Sequence, residues 1–401
     1  MAVSTAGDGV VLAALPLLAA SVSRDPLPVS LVTVAGWLPW LLFGLISGAL
    51  VDRWDRRRVM WRVDGCRFAL VAILGVAVLA GWTTIPLLAA IGFLLGSAQT
   101  LFDNAAQSLI PALVTRDSHR LERANSQLYG ARTVGQHLVG PPAGGWLFAL
   151  GASVPFLVDA VSFAASSTLI ASIRGRFAAH RADAPRAGLW AEVAEGLGWL
   201  FAHRLLRALA VMVAMLNLTS MAGLAILVLL AQDELGLGSV GYGLLLTGHG
   251  VGGVIGALVA TRLGRRAGTA ALLVAAVLVR AGTQLGLGVV ANAWLGGALL
   301  AAAGVTGAVF NVVGVSLRQA IVPDHLMGRV VSAFRTLAYG AVPLGAVLGG
   351  VVGRMFGVRA PFLIGAVVLA ATGLLALPVV NAGTVRAARI ATGPARPGND
   401  A

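Results

Sequence analysis

GALVDRWDRRRVM, residues 48–60, follows a long apolar run and crowds two acids and four arginines into positions 52–58. The knot stands out because the chain around it is so apolar. Of 401 residues, 58% are hydrophobic and 11% charged, against roughly 25% charged in a soluble globular protein. A membrane-spanning helix needs about 20 mostly apolar residues. Hydropathy, cut at Gly, Pro and charge clusters, divides the chain into twelve such segments: 2–22, 29–51, 60–81, 85–108, 124–149, 154–173, 206–231, 239–261, 269–290, 293–316, 330–353 and 360–380. The expected fold class is all-α integral membrane, with about twelve transmembrane helices, and the knot is the loop between helices 2 and 3.

The net charge is +13, and every basic residue counted in it is arginine. Such basicity invites a nucleic-acid reading, but the arginines sit in short loops between apolar runs, which excludes it. Arg53, Arg56, Arg57 and Arg58 follow helix 2; Arg116 and Arg120 follow helix 4; Arg174, Arg176, Arg181 and Arg186 follow helix 6. Arg262, Arg265 and Arg266 follow helix 8, Arg318 and Arg329 bracket the loop after helix 10, and Arg386, Arg389 and Arg396 lie in the tail. The opposite loops hold Arg24, Arg354 and Arg359 with Asp25, Asp233 and Glu234. Excess arginine marks the cytoplasmic side, so the even-numbered helices exit there and both termini are expected to be cytoplasmic, in a bacterial inner membrane.

Segment 174–205 is the longest break. Its second part, LWAEVAEGLGWLFAHRLLR, carries Leu189, Val193, Leu197, Leu200 and Phe201 at helical spacing, the pattern of an amphipathic helix lying along a membrane surface. The expected organisation is a six-helix bundle over 1–173, this cytoplasmic loop over 174–205, a second bundle over 206–380 and a flexible tail over 381–401. The bundles read as repeats. GALVDRWDRRR (48–58) falls on GALVATRLGRR (256–266) at an offset of 208, and the same offset lays FDNAAQSLIPALV (102–114) on FNVVGVSLRQAIV (310–322). Paired repeats with a path between them are a transporter architecture.

Here the opening stretch resembles the helix 2–3 signature of the major facilitator superfamily, G-x-L-x-D-R-x-G-R-R. Gly48, Leu50, Asp52, Arg53, Arg56 and Arg57 match, and Asp55 replaces the second glycine. Asp tolerates a left-handed turn better than most residues, so the turn is expected to survive. WLPWLLFGLISGALVDRWDRRR, FDNAAQSLIPALV, ERANSQL and GPPAGG together resemble the enterobactin-exporter-like and macrolide-exporter-like branches of the drug:proton antiporters over essentially the whole chain. The resemblance implies the major facilitator fold. It also implies a cytoplasmic gate that holds that side shut in the outward-open state and breaks when the halves rock, in which Asp52 meets the start of helix 11 near Gly328–Arg329 while Arg56 or Arg57 pairs with Asp103. In GQHLVGPPAGGW (135–146), Gly140, Pro141, Gly144 and Gly145 match the antiporter motif of helix 5. With Gly135 they form the expected hinge, since small residues permit close approach and proline bends helices.

Ionisable residues inside spans are costly and usually functional. Asp8, in STAGDG, is the first candidate for a proton-carrying carboxyl, with Arg132 as its counter-charge. Asp159 near the outer end of helix 6 and His137 in helix 5 follow, and Asp64 and Arg67, three apart, are expected to satisfy one another. His249, Arg280 and Arg335 lie in the second bundle. Trp37, Trp40, Phe43 and Phe102 are candidate lining residues. Members of the resembled branch carry more of helix 1 before this Asp than the seven residues present here, so either the start is assigned late or helix 1 is short.

The implied function is proton-coupled export of small hydrophobic or amphipathic molecules (a drug, macrolide or siderophore) by rocker-switch alternating access, by a monomer whose partners are substrate, protons and the bilayer. Proton-coupled uptake, lipid flipping and a non-transporting sensor or scaffold are the alternatives. No HExxH stretch, GxSxG site or paired-Asp motif indicates an enzyme, and no cofactor or metal is expected. The single cysteine, Cys66, cannot form an internal disulfide.

Overall fold

A computed structural model describes residues 2–51, 54–113, 127, 130–173 and 197–391. Twelve helices follow one another: α1 (Ala2–Val22), α2 (Pro26–Val51), α3 (Arg56–Leu79) and α4 (Ile85–Leu113). Next come α5 (a π-turn, Val134–Val139, running into Gly140–Leu150), α6 (Val154–Ser172) and α7 (Arg204–Leu224, prolonged through Leu227–Leu229 and the π-turn Leu230–Glu234). The series closes with α8 (Ser239–Ala267), α9 (Thr269–Val289), α10 (Ala293–Ile321), α11 (Asp324–Phe356) and α12 (Ala360–Ala376), and a short α13 (Ala382–Ala391) follows. No described residue lies in a strand.

Among the described residues nine helices are long and apolar enough to cross a membrane, α12 being shorter at 17 residues. Charge and interruption explain the other two. α3 carries Asp64 and Arg67, both buried in the bundle, and α5 is broken by its π-turn. α1 runs for 21 residues, over the 2–22 expected from hydropathy and long enough for a span. The outward faces are apolar: Leu244, Val251, Ile255 and Leu258 make an exposed stripe along α8, as expected where the solvent is lipid.

Local chemistry places several helix ends. Asn292 caps α10, its Oδ1 accepting from the Trp294 and Leu295 amides at 2.9 and 3.2 Å. Gly268, at φ +81°, alone joins α8 to α9, a left-handed position that glycine adopts without steric cost.

The repeat is visible in the packing. α2 lies on α4 as α8 lies on α10, α3 on α6 as α9 on α12, and α1 on α5 as α7 on α11. The contacts between halves, α2–α11 and α5–α8, exchange under the same six-helix shift. Phe102 and Phe310, and Leu109 and Leu317, matched at the offset of 208, are all buried. The repeat differs around the charge knot: α2 is described as far as Val51 and α3 begins at Arg56, whereas α8 continues unbroken through Arg262, Arg265 and Arg266.

Among the described residues the halves share one large apolar core, at one end. Where α1 meets α2, α7 meets α8 and α11 meets α12, a single apolar core runs from Leu17, Leu18 and Val29 of the first half to Ile226–Ala231 and Tyr242 of the second. Two ion pairs cross above it, Arg24–Asp233 at 3.1 Å and Arg354–Asp25 at 3.3 Å. At the arginine-rich end the cores are separate: Met60, Phe102 and Leu109 cluster within the first half, and Leu206, Phe310 and Val330 within the second.

Three expectations change. α11 starts at Asp324, about a turn and a half before 330. The tail expected to be flexible is helical over Ala382–Ala391, with Val385 in the second-half core. The surface helix expected in 174–205 lies mostly outside the described residues, of which 197–202 are helical.

Candidate functional site

The site is built around α1, which small residues let its neighbours approach. A side chain at Gly7 would collide with Asp159 and Ser162 of α6, and one at Gly9 would come within 2.8 Å of the Gly135 and Gln136 carbonyls. On α5, Gly140 faces Gly9 and Gly144 faces Val10, while Gly135 lies against Ala6 and Thr5. Gly145 turns the other way, against Ser239 and Val240 of α8, and Gly243 of α8 meets the Pro141 carbonyl. The glycine-proline stretch is thus wedged between a helix of its own half and one of the other. Pro141 and Pro142 cannot donate to the preceding turn, and the π-turn Val134–Val139 sits immediately before them, with the Gly140 amide bonding to the Gly135 carbonyl. π-turns of this kind often mark functional sites.

A polar chain crosses the first half. Ser166 of α6 donates to Asp64 at 2.6 Å; Arg67 lies 3.5 Å from Asp64 and also donates to Gln99 of α4. Gln99 donates to Asp103 at 3.1 Å, and Asp103 accepts from Arg132 of α5 at 2.8 Å, whose Nε donates to Gln136 at 3.4 Å. Arg67 is buried between the rings of Phe102 and Phe163, 5.0 and 5.3 Å from its guanidinium carbon. Arg67 thus faces Asp64 and Arg132 faces Asp103, opposite charges paired as a low-dielectric interior favours.

Asp8 stands beside this chain and outside it. Its carboxyl makes no hydrogen bond or ion pair with the described residues, keeps accessible surface, and lies within electrostatic range of Asp64, Arg67, Asp103, Arg132 and Asp159. Arg132 is taken by Asp103, so the expected Asp8–Arg132 pair is not formed. Asp159 is buried rather than interfacial, accepting from Ser162 at 2.8 Å. His137 is exposed and makes no hydrogen bond with a described residue. Asp64 and Arg67 face each other as expected. Structure adds Gln99, which joins the two ion pairs. An isolated glutamine in an apolar helix is its only trace in the sequence.

In this conformation Arg57 is bonded elsewhere than to Asp103. Arg57 donates to the carbonyls of Ile170, at 3.3 Å, and Ala171, capping the end of α6 where carbonyls lack helical partners. Asp55, expected in a left-handed turn, has φ −67° and caps α3, accepting from the Arg58 amide at 3.1 Å. Asp52 and Arg53 lie outside the described residues; Gly48 lies within α2. Among the lining candidates, Trp40 stacks on Tyr339 of α11 at 6.0 Å and Trp37 packs beside Val342 and Ala346, both across the two halves. Phe43 meets Phe93 edge-on at 6.1 Å, and Phe102 lies in the first-half core.

Comparison with known proteins agrees with this architecture. The family model described as transmembrane secretion effector (MFS_3) matches residues 2–391. The chain is 31% identical over 398 residues to the multidrug efflux pump Tap of Mycobacterium tuberculosis strain H37Rv, covering 93% of this chain and 90% of that protein. It is 30% identical to the Tap pump of Mycolicibacterium fortuitum over 89% of this chain and 88% of that one. Two similar solved structures are a bacterial homologue of the human lysosomal transporter Spinster, inward-facing and occupied (TM-score 0.74, 13% identity, 94% of each chain), and a bacterial homologue of the iron transporter ferroportin, inward-facing (TM-score 0.71, 18% identity, 97% and 96%). With the repeat, the core shared by the halves and the polar chain already in place, these likenesses establish that the chain belongs to the transmembrane secretion effector family of major facilitator transporters.

Proposed function

We propose that this chain is a proton-driven exporter of small, partly apolar molecules, working as a monomer by alternating access in the cytoplasmic membrane with both termini inside. The observation that carries the proposal is Asp8: a carboxyl within a spanning helix, accessible, beside a second acid, and with no bonded counter-charge to hold it permanently ionised. Such a group can take a proton from one side and release it to the other. Asp103, by contrast, is tied to Arg132. The arginine-poor end is the closed one, which supports a cavity opening to the cytoplasm, where an exporter loads. Opening outward then requires breaking the Arg24–Asp233 and Arg354–Asp25 pairs. Exposed ion pairs are worth only about 0.2–1 kcal/mol each, so they bias closure without locking it. In that outward state Asp52, Arg56 and Arg57 serve as the cytoplasmic gate, and the glycines around Pro141 let α5 slide between α1 and α8. The similarity to pumps named for multidrug efflux supports an amphipathic drug as substrate.

The test is efflux of a fluorescent cationic dye from cells expressing the chain. Extrusion should stop with a proton uncoupler and with Asp8→Asn, the variant remaining in the membrane. Normal uncoupler-sensitive extrusion by Asp8→Asn would remove Asp8 from the mechanism.

A further inference from the structure

Arg67 and Arg132 of the first half each face an acid, but Arg280 in the second half has no acid within ion-pair distance among the described residues. Arg280 lies near the middle of α9 and is only 9% exposed. Its Nη2 donates to Ser220 of α7 at 2.8 Å, while Nε and Nη1 are buried with no partner. One turn on, buried Gln284 donates to the Thr219 carbonyl at 3.2 Å and leaves its own oxygen unpartnered. The other arginines within second-half spans are accommodated differently: Arg318 lies over the ring of Phe334 and Arg335 over Tyr339. A buried guanidinium without a counter-charge is expensive, and packing alone gains nothing from it that an apolar residue would not supply.

An internal space adjoins this group. His249 belongs to the face of α8 that buries Tyr242, Leu245, Gly252 and Gly256, about 140° from the outward stripe at 100° per residue. Yet it is exposed, so its ring borders space inside the bundle rather than lipid. It lies within electrostatic range of Arg280 and of His137 across the halves. Ser220, which holds the guanidinium, is itself partly exposed.

We propose that Arg280 of α9, held by Ser220 of α7, is an anion-binding subsite that takes an acidic oxygen group, a carboxylate or phosphate, of the transported molecule. The substrate is then an amphiphile with an acidic end held by the second half, while the first half holds the proton on Asp8. The choice of a transported molecule as ligand rests on the transport reading above; binding itself does not.

The test uses two related xanthene dyes, rhodamine B with a free carboxylate and rhodamine 6G with that group esterified. Binding to the purified full-length chain in detergent micelles is read by fluorescence anisotropy. The carboxylate dye should bind the wild type more tightly. Arg280→Gln should weaken it about tenfold to a hundredfold, the worth of a charge-assisted contact, and leave the ester dye unchanged; Arg280→Lys should be intermediate. Should Arg280→Gln fail to fold, benzoate competition on the wild type decides: it should displace the carboxylate dye and spare the ester. Equal binding of the dyes, binding of neither, or equal loss of both in Arg280→Gln overturns the subsite. A carboxylate preference that disappears in phosphatidylglycerol nanodiscs but survives in phosphatidylcholine ones overturns the substrate assignment in favour of a lipid phosphate. Dye bound through Arg280 but never extruded by cells refutes export and leaves the subsite standing.

Discussion

Gly144 and Gly145 are adjacent on α5 yet face different halves, and a methyl group on each should do different things. At Gly145 it would press on the Ser239 backbone of α8, 3.1 Å from its carbonyl carbon and 3.2 Å from the Val240 Cα. At Gly144 it would press on Val10 of α1, 3.1 Å from its Cα. Backbone cannot swing aside as a side chain can, so either alanine should cost the overpacking penalty of about 1–3 kcal/mol. For Gly145→Ala the strain exists only while α5 and α8 touch as they do here. It falls on this conformation and shifts the equilibrium away from it by about five- to 150-fold. For Gly144→Ala the strain lies within one half and persists in both conformations, so it should lower thermal stability instead. The assay starts from Cys66→Ser and adds Ala231→Cys, a position 0% exposed in the core that joins the halves at the closed end. Its labelling by a membrane-impermeant maleimide reports opening there. Gly145→Ala should raise the labelling rate by the factor above, and Gly144→Ala should leave it near the parent. Unchanged labelling in Gly145→Ala, or equal changes in both, would refute the assignment of these glycines to different interfaces.

Gln99→Leu leaves Arg67 and Asp103 each short of a buried hydrogen bond and should cost about 1–3 kcal/mol, read as a lower melting temperature of the purified chain. Asp233→Asn removes the partner of Arg24 and should speed Ala231→Cys labelling by up to about fivefold, the upper worth of an exposed pair; 1 M salt should have the same effect on the parent and a smaller one on the variant. Asn292→Ala deletes the cap of α10 and should cost about 1 kcal/mol without altering labelling. Arg57→Gln should destabilise the first half through the lost cap on α6; a variant as stable as the parent would show that water satisfies those carbonyls equally well.

The helices and the twofold repeat were legible because both are written in hydropathy and spacing, which lipid reads directly. Phe102 and Phe310 fall at one offset and take matching places in packed helices. The glycines of α5 were legible as a group, but their division between α1 and α8 was not, because it depends on which face of the helix each presents. α11 ran longer than expected since DHLMGR is too polar to score as a span, while helices continue past the membrane boundary at no penalty in water.

Pairing partners were the least legible feature, and Asp103 shows why. Its resemblance-based partners, Arg56 and Arg57, sit at the start of α3, at the arginine-rich end and near water, where a guanidinium is well solvated and gains little from leaving. Arg57 there finds the terminal carbonyls of α6 at no desolvation cost comparable to reaching into the bundle. Arg132 lies beside Asp103 in the first half, its side chain 38% exposed against 9% for Asp103, and pairing there offsets the desolvation of a carboxylate that is already out of water. Sequence distance carries no trace of this: Asp103 and Arg132 are 29 residues apart, and Arg57 is bonded to residues 113 and 114 positions away. The same reasoning isolates Asp8. With Arg132 occupied by Asp103, and Arg67 by Asp64 and Gln99, each cation in reach of Asp8 already has a bonded partner, and it is this saturation of its neighbours that leaves its carboxyl without a bonded counter-charge.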